Sequence, residues 1–418
     1  MDCTAKARLA FSALTVYRGL LKDGTVEKYI RLLEAVRGVD LGGFLDAYGE
    51  FFYSLAHKNA DSLSVYLTQQ ILYDDNLFSR QAAANGSASV EQSVLDAAEN
   101  DLALLRLATI SAAGIKKAAA DNFECGEQER AELLATLPEW RSGDEFLQGG
   151  VESVCEFYRQ NGCGIFARYG ALRWVNGGLS GVDEPDPIRL EGLKGYDYER
   201  GVVVDNTLEF LEGSRANNML LYGDRGTGKS STVKAVCNEF RDRGLRIIEV
   251  PKDSIADFTG ITSRIARLPL KFIIFIDDLS FASDDDNYAA LKGVLEGGLS
   301  IRPANTVIYA TSNRRHFVKE SFAEREGDDV HAADAIQEKL SLADRFGITV
   351  TFSAPDQKLY LAIVGRLAEE RGLNIGRVQL ERGALQWALI YNGRSPRTAR
   401  QYVDWAEARL KSGRKFEI

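Results

Sequence analysis

Histidine is nearly missing from this chain, with only His57, His316 and His331 in 418 residues, and cysteine is sparse and odd in number at Cys3, Cys125, Cys155, Cys163 and Cys237. These scarcities exclude a Cys/His zinc site and a disulfide framework, so reduced thiols in a cytosolic protein are the economical reading. No apolar run approaches the ~20 residues that a membrane-spanning helix needs. Asp2 stands at the N-terminus with no uninterrupted apolar stretch behind it. The expected location is therefore the cytoplasm, without membrane contact. Excess positive charge is lacking as well. Lys and Arg total 51 against 60 Asp and Glu, a formal net charge of -9, which argues against a chain-wide basic surface for nucleic acid.

What is present is length and apolar content. Over 418 positions, 45% are hydrophobic and 27% charged, enough for two or three domains with cores of their own. The charge is uneven: residues 1–190 carry 18 Lys/Arg and 27 Asp/Glu, while residues 191–418 carry 33 of each. The two halves differ in composition as two proteins would.

From Ala5 to about Ala135, apolar residues recur at three and four positions, as in Tyr29, Leu32, Leu33 and Val36, with almost no alternation. This predicts an all-α N-terminal domain over 1–162. A glycine- and proline-rich stretch with Asn176-Gly177-Gly178 and Pro185-Asp186-Pro187 reads as a linker over 163–187, although Tyr169, Leu172 and Trp174 imply some packing. Thereafter five short apolar runs alternate with helix-forming sequence: Met219 to Tyr222, Arg246 to Val250, Phe272 to Ile276, Thr306 to Thr311 and Ile348 to Phe352. Such alternation predicts an α/β domain over 188–354, a parallel five-stranded sheet with helices on both faces. Two amphipathic patterns, Asp356 to Arg371 and Ser395 to Leu410, predict a small C-terminal helical lid over 355–418.

The strongest motif is Gly223-Asp224-Arg225-Gly226-Thr227-Gly228-Lys229-Ser230, placed between the apolar strand ending at Tyr222 and a helix opening with Ser231. This is the full phosphate-loop (Walker A) pattern in its proper context. Glycines at 223, 226 and 228 let backbone N–H groups turn toward phosphate oxygens, and the helix N-terminus adds its positive dipole end. Lys229 supplies a point charge to the outer phosphates and Ser230 a hydroxyl to magnesium. The alternative is a glycine-rich turn with no ligand. The second signal, Phe272-Ile273-Ile274-Phe275-Ile276-Asp277-Asp278, is an apolar strand ending in two acids. Asp277 is the candidate metal ligand and Asp278 the group that orients or deprotonates an attacking water; an acidic turn capping the next helix is the alternative.

With these two motifs in place the sequence resembles the AAA+ ATPases over residues 188 to 413. That resemblance implies ATP and Mg2+ as ligands, ADP as product, and a homo-oligomer, ring or helical. It marks Tyr309-Ala310-Thr311-Ser312-Asn313 as a sensor-1 strand in which Asn313 bridges the γ-phosphate and the water. It marks Leu342-Ala343-Asp344-Arg345-Phe346-Gly347 as the segment presenting an arginine finger, Arg345, to a neighbouring subunit. In Gly393-Arg394-Ser395-Pro396-Arg397 it marks Arg397 as sensor 2, with Arg394, Arg314 and Arg315 as rivals. Leu193, Gly195 and Tyr196 occupy the place where such ATPases close over adenine, and Tyr196 reads equally as core. The plain alternatives are a strand-end turn for Asn313, an ion pair with Asp344 or Glu338 for Arg345, and a surface charge for Arg397.

More narrowly, Leu291 to Gly298, Thr311 to His316 and Ala343 to Gly347 look like the bacterial family called domain of unknown function 815, described as AAA+-type ATP-binding proteins. One departure matters. The second acid is Asp278 where many AAA+ members have glutamate; the helicase-loader branch, which the chain resembles in this, also carries two aspartates. The resemblance therefore implies either an ATPase acting on a macromolecular client through its N-terminal domain, or an ATP-gated switch with slow or partner-gated turnover. Arg302, Arg314, Arg315 and Lys319 form a candidate basic edge, which leaves nucleic acid open as a partner.

Overall fold

The five apolar runs fold as strands within a residue of where the sequence places them: β3 (Met219–Gly223), β4 (Leu245–Glu249), β5 (Lys271–Ile276), β6 (Thr306–Ser312) and β7 (Ile348–Phe352). All five are parallel. Every residue of β6, and all of β5 but Lys271, is buried, as a sheet covered on both faces requires. In this computed structural model the described residues are 2–123, 127–141, 149–279, 286–296, 303–313, 345–391 and 393–412. Arg302, Arg314, Arg315, Lys319, Glu338 and Asp344 lie outside them.

Among the described residues the sheet has seven strands in the order β2-β1-β4-β5-β6-β3-β7, which corrects the expected five. The two extra strands, β1 (Ala171–Val175) and β2 (Gly178–Gly181), come from the stretch expected to be a linker. They form an antiparallel hairpin in which Val175 pairs with Gly178, and β1 lies parallel beside β4. Asn176 and Gly177 both have positive φ, 51° and 75°, the two-residue turn whose twist suits a tight hairpin. Leu172 and Trp174 are buried while Arg173 and Val175 face outward. Leu172 and Trp174, which resisted the linker reading, are the inward face of β1, the strand between the edge strand β2 and β4.

The chain forms two compact units, Met1–Arg168 and Tyr169–Ile418. The described elements of the first are helices, from Cys3–Ser12 to Ile165–Arg168, around an aromatic core that includes Phe11, Tyr29, Phe44, Phe51 and Phe78. Its buried acid, Asp101, accepts hydrogen bonds from the Thr15 and Tyr17 amides at 3.0 and 2.9 Å, which offsets its desolvation. In the second unit, three helices follow β7: Gln357–Glu370, Arg377–Ile390 and Pro396–Lys411. They share a core of Tyr360, Ile363, Val364, Tyr402 and Val403. The middle helix escapes a periodicity reading because its apolar residues are spread around it, with Val378 and Leu389 more than four-fifths exposed. Among the described residues no helix is long and apolar enough to cross a membrane.

β3 lies between β6 and β7. From β3 the chain crosses outward to β4, and from β6 it crosses back over β3 to reach β7. Such reversals open a crevice at the carboxyl ends of the strands.

Candidate functional site

The loop after β3 is shaped by its glycines, and each has its own reason. Gly223, Gly226 and Gly228 have φ of 133°, 76° and 96°, a region that L side chains enter at a cost. A Cβ on Gly223 would sit 2.1 Å from the carbonyl oxygen of Phe352, so this glycine serves the crossing with β7. Gly228 caps the helix Lys229–Glu239 in a left-handed conformation. Asp224 faces away from the crevice. Its carboxylate accepts from the Ala354 amide at 2.6 Å and its own amide donates to Phe352 O at 3.0 Å, tying the loop to the end of β7. Thr227 Oγ1 donates to Asp224 O at 2.8 Å.

The Lys229 ammonium donates to Gly223 O at 2.8 Å, Asp224 O at 2.7 Å and Asn313 Oδ1 at 3.0 Å. Burial lowers its pKa, opposed by the nearby carboxylates of Asp224, Asp278 and Asp277. Asn313 in turn donates through Nδ2 to Asp278 Oδ1 at 2.6 Å. Asp277 Oδ1 accepts from Ser230 Oγ at 2.6 Å and from the Asp278 amide at 3.1 Å. The carboxyl ends of β3, β5 and β6 thus bring Lys229, Ser230, Asp277, Asp278 and Asn313 into one hydrogen-bonded group. Asp278 adopts φ of 51°, a left-handed conformation that costs an L-residue ~1 kcal/mol or more and is concentrated at functional sites.

Ser230 and Asp277 are hard oxygen donors in contact, the type magnesium prefers. Among the described residues no group of three His, Cys, Asp or Glu side chains stands ready for a metal. The donor set fits an ion held by one or two protein oxygens together with phosphates and water.

A cleft of about 660 Å³ opens over this group, lined by Arg225 to Thr232, Asp277, Asp278, Asn313 and Arg397 among others. Among the described residues its cationic lining is Lys194, Arg200, Arg225, Lys229, Arg397 and Arg400, against the two acids Asp277 and Asp278. The charge of the whole chain is locally inverted. Leu193 lines the cleft with Ile188, and Ile363 and Leu367 face it from the lid. Gly195, at φ of 76°, lets the backbone approach the lid, since a Cβ there would stand 2.8 Å from Ile363 Cδ1. Tyr196 does not line the cleft. It is buried against Phe352 with ring centroids 5.4 Å apart, and its hydroxyl donates to Ser353 O at 2.5 Å.

The lid's last helix starts on the loop: Ser395 caps it by accepting from Thr398 N at 3.1 Å, and Arg397 N donates to Gly226 O at 3.2 Å. Arg397 lines the cleft and Arg394 does not. Nor does Arg345, which precedes β7. Phe352, at the other end of that strand, pairs with Gly223, so Arg345 stands at the edge of the sheet opposite the phosphate loop.

Sequence reasoning missed Ile188, Ile363, Leu367, Lys194, Arg200, Arg400 and Thr311 as lining residues. The lid pair Ile363 and Leu367 repeats at i and i+4, but that spacing looks the same for a core face. Ile188, Lys194, Arg200 and Arg400 reach the cleft from segments far apart in sequence, which local pattern does not encode.

The family model described as "Protein of unknown function (DUF815)" matches residues 167–410. No curated protein matches the sequence. Solved structures similar to the chain include RuvB of Thermotoga maritima, titled as a Holliday junction branch migration motor, at 15% identity and a TM-score of 0.37, covering 54% of this chain and 66% of that one. DnaA from Aquifex aeolicus bound to AMPPCP has 18% identity and a TM-score of 0.38, with 55% and 68% covered. The Orc1 protein of Aeropyrum pernix in complex with DNA has 16% identity and a TM-score of 0.39, with 56% and 66% covered.

Proposed function

Because the chain belongs to the family described as "Protein of unknown function (DUF815)", whose description names no activity, we propose from the cleft itself that it is an AAA+-type ATPase that binds ATP with magnesium and hydrolyses it to ADP and phosphate. The observation that carries this reading is the convergence of Lys229, Ser230, Asp277, Asp278 and Asn313 at the N-terminus of one helix and the carboxyl ends of three parallel strands. Among the described residues the cleft carries six cations and two acids, an excess of positive charge that suits a triphosphate.

Each residue then has a role that its surroundings permit. The ammonium of Lys229 exchanges neutral carbonyl partners for phosphate oxygens, which supply the countercharge that burial denies it. Ser230 and Asp277 would hold magnesium. When bound, the ion neutralises charge developing on the phosphates. Asp278 accepts hydrogen bonding from the attacking water and Asn313 steadies that water against the γ-phosphate. Arg397 reaches the same phosphate from the lid, so nucleotide state is conveyed to lid position. Ile188 and Leu193 with Ile363 and Leu367 form apolar walls for the base. Arg345, on the edge of the sheet away from its own loop, is suited to serve a neighbouring subunit's nucleotide in a head-to-tail homo-oligomer. The first unit is assigned to a macromolecular client, a protein being the first candidate.

One observation favours slow or gated turnover: in the structure Asp278 Oδ1 is engaged by Asn313, and the short aspartate reaches less far than glutamate. Steady-state ATPase measured against protein concentration, with and without DNA, tests the reading. Turnover that rises with concentration supports an ATPase completed in trans. ATP binding with no turnover at any concentration supports the gated switch, and no binding at all rejects both.

A further inference from the structure

We propose that Thr311 is a positioning residue for both acids of this site, an inference that rests on the ATPase reading and deepens it. Thr311 lies in β6 with 1% of its surface exposed, paired with Leu221 of β3. Its hydroxyl donates to Asp277 Oδ1 at 2.5 Å and accepts from the Asp278 amide at 3.0 Å. A hydroxyl has a single proton, so the direction of both bonds is set once Asp277 has received it. The next backbone link is made by the same residue, with Leu279 N donating to Thr311 O at 2.7 Å. One threonine therefore grips the consecutive residues 277, 278 and 279 at the point where the chain enters the left-handed conformation of Asp278.

The contact with Asp277 has a second consequence. Among the described residues, the side-chain hydrogen bonds reaching Asp277 fall on Oδ1, from Ser230, Thr311 and the Asp278 amide. Ser230 is the hydroxyl assigned to magnesium, so on nucleotide binding it is withdrawn from that oxygen. Thr311 is then the hydroxyl that still fixes the carboxylate's rotation and keeps its second oxygen turned to the cleft. Outer partners of this kind orient a metal ligand without touching the metal.

The test compares Thr311→Val, which keeps the shape and removes the hydroxyl, with Thr311→Ser, which keeps the hydroxyl. ADP affinity of the full chain is measured by calorimetry in EDTA and in excess magnesium, alongside the melting temperature without nucleotide. Thr311→Val is expected to bind ADP like the parent in EDTA and to lose about 10- to 100-fold of the magnesium-dependent gain. Thr311→Ser is expected to restore that gain. If Thr311→Val does not fold, Thr311→Ala against Thr311→Ser makes the same comparison. A parental magnesium-dependent gain in the hydroxyl-less variant, or no recovery in Thr311→Ser, overturns the positioning role and leaves the ATPase reading standing. Failure of the parent protein to bind ADP with magnesium overturns both.

Discussion

Asp277 and Asp278 are adjacent acids with different surroundings, and the difference decides what each is able to do. Asp277 is held by the hydroxyls of Ser230 and Thr311, while Asp278 faces the cleft on a left-handed backbone and meets Asn313. Asp278→Asn is expected to retain ATP binding and lose hydrolysis, by ~10² or more for a group placed at the water. Asp277→Asn should weaken magnesium-dependent binding as well, because it removes an oxygen assigned to the ion. Equilibrium binding and single-turnover assays on the two variants check the division, and matching profiles would refute it. That two acids stand together at the cleft was legible from the strand that ends in them. Thr311 was not, because a threonine within an apolar run reads as an ordinary β-former until its strand neighbour is known.

At the scale of elements, the hairpin β1–β2 makes the sharpest claim. Trp174 is buried, donates through Nε1 to Asp257 Oδ2 at 2.8 Å, and lies under the Arg264 guanidinium at 5.1 Å from the ring centroid. Trp174→Ala is therefore expected to destabilise the protein by ~3–5 kcal/mol. A true linker would tolerate it with little change, and denaturant unfolding distinguishes the two. The lid makes a smaller claim: Ser395→Ala removes an N-cap and should cost ~1 kcal/mol, read as a fall of a few degrees in melting temperature. The five strands β3 to β7 were legible because parallel strands in a covered sheet are short apolar runs bounded by turns. The hairpin was hidden by its own glycines. Asn176-Gly177 is a hairpin signal when alternating residues flank it, and Leu172 and Trp174 supplied that alternation, but Gly178 and Gly181 gave β2 the composition of a connector. The glycine loop after β3 and the two acids that meet it could be read from sequence because backbone geometry demands those residue types locally. The apolar residues that line the cleft and the cations around it could not, since they meet only through the tertiary path of the chain.

For the whole molecule, Arg345 stands at the end of the sheet away from the loop after β3, and the proposed function therefore predicts that activity depends on assembly. Arg345→Ala is expected to bind ATP and to lose turnover, since arginines supplied in trans contribute ~10³–10⁵ in rate in related phosphoryl transfer. Mixing it with Asp278→Asn should recover part of the activity, because some mixed contacts join an intact water-positioning site to an intact arginine. No recovery under conditions of demonstrated subunit exchange would return Arg345 to an ion pair within its own chain. All of this stands on nucleotide binding at the loop after β3. The most direct measurement is thermal unfolding of the full chain with and without ATP and magnesium, alongside Lys229→Ala. At ~100 times the dissociation constant the ligand adds about 2.7 kcal/mol to the folded state, so the parent protein should melt several degrees higher with nucleotide, and Lys229→Ala should fold cooperatively but show little rise. A parent melting temperature unmoved by saturating ATP or ADP with magnesium would contradict the account.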